Sequence, residues 1–99
     1  MAHYANEELG VEFDIADRFT VREQLVFRGK VAESFGESVF VRYWMAGQTV
    51  IQAWSCDAVA DMAALDLDAT DNMNVAEIVA WTANTVAGHM NRLETPPKK

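Results

Sequence analysis

Cations are scarce in this chain. It holds eight Lys and Arg against fifteen Asp and Glu, giving a formal net charge of −7. A field of that sign repels DNA and RNA backbones, so groove or phosphate binding is not expected. The same sign weakens attraction to an anionic membrane surface. Cysteine is nearly absent: Cys56 stands alone, so no disulfide can form within the chain and nothing points to an oxidising compartment. The opening residues lack the basic and then apolar pattern of a signal peptide, and no apolar run approaches membrane-spanning length. These absences lead to an expectation of a cytoplasmic protein.

Catalytic and metal-binding patterns are also sparse. The two histidines, His3 and His89, are far apart in sequence, and neither His-x-x-x-His nor Cys-x-x-Cys occurs. No glycine-rich phosphate loop is present. No carboxylate stands out as a general acid, and Cys56 with His89 could form a nucleophile and base in principle but has no local pattern behind it. The expectation is a non-enzyme with no cofactor and no metal.

What the chain does have is apolar content. Hydrophobic residues make up 51% of its 99 residues, enough for one modest core. Residues 8 to 16 alternate: Leu9, Val11, Phe13 and Ile15 fall on one side and Glu8, Gly10, Glu12 and Asp14 on the other. That is the period of an extended strand with one buried face. Such a segment reads either as an arm folded back on its own domain or as an arm that docks on a partner by strand addition.

Thr20-Val21-Arg22-Glu23 has the form of a capping box and predicts a helix from about 21 to 34, with Gly29 as a weak point and Phe35-Gly36 as a break. Residues 37 to 55 carry two signals. Phe40, Tyr43, Trp44, Gly47, Val50, Ile51 and Trp54 recur at helical spacing, whereas β-branched and aromatic residues on either side of Ala46-Gly47 suit a hairpin. The helix is the favoured reading because its pattern persists for about five turns. Residues 56 to 71 read as a short helix or helical turn followed by a loop. A last helix runs from about 74 to 93, with Asn74 as its cap and Thr95-Pro96-Pro97 as its stop. The fold expected is mainly all-α, a bundle of three to four helices (20–94) with an extended acidic N-terminal arm (1–19) and a short C-terminal tail (95–99).

The stretch Asp66 to Glu77 has the length of a calcium loop, with oxygen-bearing side chains at positions one, three, five and nine and Glu77 at twelve. Asp71 occupies the position that needs glycine. An acidic turn capping the last helix accounts for the same residues.

The order of features from 19 to 99 resembles a known family. Phe-Thr-Val-Arg-Glu-Gln-Leu (19–25) precedes Val-Arg-Tyr-Trp (41–44), Gln-Ala-Trp-Ser-Cys (52–56) and the acidic turn 66–71. Ile-Val-Ala-Trp-Thr-Ala-Asn (78–84) and Met-Asn-Arg-Leu-Glu (90–94) follow. This is similar to small proteins from the tail-gene region of long-tailed actinobacterial phages, of the kind called tail assembly chaperones. The resemblance implies an all-α fold, no catalysis, and binding to a tape measure protein in the host cytoplasm during tail assembly. Expected partner contacts are Leu9, Val11, Phe13 and Ile15 on the arm, with Tyr43, Trp44, Met45 and Trp54 on the central segment. Two alternatives stay open: a virion component that oligomerises through the arm, and a calcium-responsive regulator.

Overall fold

The computed structural model describes residues 1–94. The expected stop at Thr95-Pro96-Pro97 and the 95–99 tail lie outside the described residues. Along the chain run β1 (Ala2–Asn6), β2 (Val11–Ile15), α1 (Val21–Glu33), α2 (Val39–Gly47), β3 (Ile51–Cys56) and α3 (Met73–Glu94). A single 3-10 turn, Met62–Ala64, lies between β3 and α3.

The all-α expectation is therefore corrected. The protein is a small mixed fold with a three-stranded antiparallel sheet ordered β1-β2-β3 and three helices. The supposed arm supplies two of the three strands. Residues 7–10 turn the chain back so that Tyr4 pairs with Phe13 and Ala2 with Ile15. Gly10 closes the turn at φ +67, a conformation in which a Cβ would be strained. The alternation at Val11, Phe13 and Ile15 is the buried face of the central strand, whereas Leu9 belongs to the turn and is half-buried.

The 37–55 segment is neither the continuous helix nor the hairpin. Ser38 caps α2 by accepting from the Val41 amide at 3.3 Å, and the helix ends at Gly47. The chain then turns and enters β3, which pairs with β2. Register shifts between Glu12, opposite Ser55, and Asp14, opposite Gln52, so Phe13 faces two residues, Ala53 and Trp54. That is a β-bulge, and Ala53 takes φ +52 to make it. The extra residue moves Trp54 and Cys56 onto the same side as Ile51 and leaves Gln52, Ala53 and Ser55 outside.

The core lies between the inner face of the sheet, α2 and α3. Phe13, Ile15, Trp44, Ile78, Thr82 and Val86 are its most completely buried side chains. Phe13 is ringed by Tyr4, Trp54 and Trp81, with ring centroids 5.6–5.9 Å away. Trp54 also meets Trp44 edge-on at 5.7 Å, which joins strand to helix. At Gly47, α2 approaches α3 so closely that a Cβ would sit 3.1 Å from a Val86 methyl carbon. Asn72, and not Asn74, caps α3: its side-chain oxygen accepts from the Asn74 amide at 2.8 Å and the Val75 amide at 3.4 Å.

The capping box at α1 forms as expected. Thr20 Oγ1 accepts from the Glu23 amide at 3.1 Å, and the Glu23 carboxylate accepts from the Thr20 amide at 2.9 Å. α1 then packs mainly on α2, through Phe27 against Tyr43 at 6.1 Å. Arg42 adds a clamp, donating from Nε and Nη2 to the Val31 carbonyl at 3.1 and 3.0 Å. A cation at these last carbonyls also complements the helix dipole.

Candidate protein-binding surface

The residues expected to meet a partner divide sharply in the folded chain. Val11, Phe13, Ile15 and Trp44 are buried in the chain's own core. Leu9, Tyr43 and Trp54 are half-buried against it. Trp54 is further fixed by its indole N–H, which donates to the Val59 carbonyl at 2.7 Å. Met45 alone of the eight is exposed.

A different set of apolar side chains reaches the surface. On the α1–α2 hairpin, Val21, Leu25, Val26, Phe35, Val39 and Phe40 are all exposed, with Leu25 at 61% and Phe35 at 84%. Helical geometry explains the α1 members. Gln24, Phe27 and Val31 share the face turned towards α2, whereas Val21, Leu25 and Ala32 share another that faces solvent. Phe35 follows α1 in the connecting turn, where the Arg42 guanidinium sits 5.7 Å from its ring centroid. Spacing alone could not separate these residues from core, because α1 is apolar on two sides and only one of them is covered.

Beside this hairpin lies an open groove of about 290 Å³ between α2, the 65–72 loop and the first turns of α3. Phe40, Leu65, Leu67, Val75, Ala76 and Val79 are among its lining residues. The loop alternates, so Leu65 and Leu67 turn inwards while Asp66 and Asp68 stay exposed. Asp71 and Glu77 are exposed close by in sequence. The groove is thus apolar inside with an acidic surround.

The acidic loop does not form a cation cage. Asp66 Oδ1 accepts from the amides of Asp68 and Ala69, at 3.0 and 3.2 Å, and Glu77 lies inside α3. Among the described residues, no three His, Cys, Asp or Glu side chains gather so as to hold a metal ion.

One polar cluster escaped the sequence reading. His89, 4% exposed, joins α3 to the sheet. Its Nε2 faces the Ala16 carbonyl at 2.8 Å, and its Nδ1 faces the Tyr4 hydroxyl at 2.6 Å. A carbonyl can only accept, so Nε2 donates to it; in the neutral ring this fixes the tautomer in which Nδ1 accepts from the Tyr4 hydroxyl. The Tyr4 oxygen in turn accepts from Arg92 Nη2 at 2.7 Å. Every polar atom of the imidazole is engaged, which makes the cluster a latch between β1 and α3. Cys56 is buried elsewhere in the core, and His89 has no ring nitrogen left for it. Nearby, Asp17 hydrogen-bonds the N-terminal ammonium, which holds its carboxyl below the ordinary value.

Among the described residues, no helix is long and apolar enough to cross a membrane. Set against known proteins, the chain matches no family model, no curated protein and no solved structure.

Proposed function

We propose that this chain is a non-catalytic protein-binding factor that uses the α1–α2 hairpin to cover an apolar surface on a client protein. One observation carries the reading. Val21 and Leu25 are largely exposed on one face of α1, with no packing partner among the core residues, while a full core exists elsewhere. An apolar face left open on a helix is a candidate contact site. The net charge of −7 would keep such a complex dispersed.

The resemblance over residues 19 to 99 supplies the setting. The client would be a tape-measure-like phage tail protein, held soluble in the host cytoplasm while the tail tube assembles. The alternative of a virion component laced together by an N-terminal arm has no free arm to use, since residues 2–6 and 11–15 are sheet strands. A virion role would have to run through another surface.

The test is affinity capture of the tagged chain from producing cells, read by mass spectrometry beside purified particles. The expected result is a long tape-measure-like protein in the wild-type capture, reduced about tenfold or more by Leu25→Glu as for a buried interface anchor, with the chain absent from particles. Equal recovery by Leu25→Glu would remove the hairpin from the contact. Fixed stoichiometry in particles would replace the chaperone role with a structural one.

A further inference from the structure

Charge is distributed unevenly over the fold. Residues 18–42, which hold α1, the connection to α2 and the first turn of α2, carry five cations (Arg18, Arg22, Arg28, Lys30 and Arg42) against three carboxylates, a balance of +2. The rest of the sequence carries three cations against twelve carboxylates, a balance of −9. No Lys or Arg occurs between Arg42 and Arg92, the stretch that builds most of the groove. Lys30 pairs with Glu33 and Arg42 is bound to the Val31 carbonyl, so the positive charge beside the Val21–Leu25 face is that of the exposed Arg18 and Arg22 at the start of α1, whereas exposed Asp66, Asp68 and Glu77 neighbour the groove's lining residues in sequence. α1 cannot fill its own groove, because its Phe27 side is committed to α2.

We propose that the Val21–Leu25 face of α1 in one copy docks in the α2–α3 groove of a second copy, head to tail. Apolar contact would come from Val21 and Leu25 against Leu65, Leu67 and Ala76. Arg22 on α1 and Asp66, Asp68 and Glu77 around the groove are all exposed and supply attraction of opposite sign. Gly29 follows Leu25 by one helical turn, and a Cβ there would meet nothing in its own chain, so a second copy can approach the helix closely at that point. A contact between two different patches is not used up in a pair, so an open assembly keeps one face and one groove free until a ring closes. Rings or short filaments follow, and they dissociate as salt screens the charges. The contact shares α1 with the proposed client surface but is tested on the purified chain alone, so either idea can fail without the other.

The experiment is sedimentation velocity over a concentration series at low and high salt, on the wild type, Leu25→Glu and Ala76→Arg. Both substituted positions are exposed, and far-UV circular dichroism and melting check that each variant folds. The wild type should rise above its monomer mass of 11.0 kDa with concentration, and less so in high salt. Each variant alone should stay monomeric, or associate at least about tenfold more weakly. An equimolar mixture of the two should recover a dimer and go no further, because the intact α1 face of Ala76→Arg meets the intact groove of Leu25→Glu. A wild type that remains monomeric throughout overturns the proposal. So does association that survives Ala76→Arg, which would assign the contact to α1 pairing with α1. So does a mixture that stays monomeric while the wild type associates.

Discussion

The inner face of β2 and the outer face of α1 are both written in aliphatic and aromatic residues, yet they end in opposite places. Val11, Phe13 and Ile15 are at most 2% exposed, while Val21 and Leu25 are mostly in solvent. The difference lies in what each element has beside it. β2 is the central strand, hydrogen-bonded on both edges and roofed by aromatic rings from β3 and α3. α1 has a single substantial neighbour, α2, and that neighbour covers only one of its faces. Apolar composition alone therefore does not separate a covered face from an exposed one. In β2 the cover is in the same chain; the Val21–Leu25 face of α1 has no such cover among the described residues.

The largest expected effect tests the covered side of this contrast. Phe13→Ala should destabilise the fold by about 3–5 kcal/mol, since the side chain is fully enclosed and three rings would face the cavity. Urea unfolding followed by tryptophan fluorescence measures it. A loss well under that range would mean that the sheet–α3 interface can collapse around the gap, and that the core is less tightly specified than its burial suggests.

This contrast also explains what was legible in the sequence. The capping box at Thr20, the α1 span, the long last helix and the alternation at 11–15 were readable because each has local chemistry behind it. β1 was not, because Ala2, Tyr4 and Asn6 alternate with His3 and Ala5 and only Tyr4 is large. The helix expected through 37–55 failed for a specific reason. Ile51 and Trp54 are three apart and share a face, which reads as a helix; in the folded chain the bulge at Ala53 produces that spacing within a strand. A bulge costs nothing in composition and leaves no mark that a periodicity count can see. The groove was equally hidden, since it joins residues 40 and 41 to others between 65 and 80. The expected contact residues were mostly core because large aromatics are favoured in both settings.

A second, smaller effect probes the seam between the two regimes. Tyr4→Phe keeps the ring against Phe13 but removes the hydroxyl that His89 and Arg92 share. It leaves a buried imidazole nitrogen without its donor, which should cost about 1–3 kcal/mol in urea unfolding. Arg92 is exposed and can turn to water, so most of the loss belongs to His89. If Tyr4→Phe is neutral, water enters beside α3 and replaces the hydroxyl, and the latch is not what holds β1 in place.

The smallest effects fall on α1, and they sharpen the comparison most. Thr20→Ala removes a side chain that accepts from the Glu23 amide at the start of the helix. The expected cost is about 1 kcal/mol. Because α1 is joined to the rest mainly through α2, that cost should appear first as faster amide exchange in the first turns of α1, with β2 and α3 unchanged. Leu25→Glu should alter monomer stability by no more than about 0.5 kcal/mol, as exposed substitutions usually do. A leucine that contributes almost nothing to its own fold and yet governs association would place its role outside the monomer. If Leu25→Glu instead destabilised the monomer as strongly as Tyr4→Phe, the α1 face would already be covered in solution by its own chain. The division between a self-covered sheet and an uncovered helix would then fail, and both proposals that rest on α1 would fail with it.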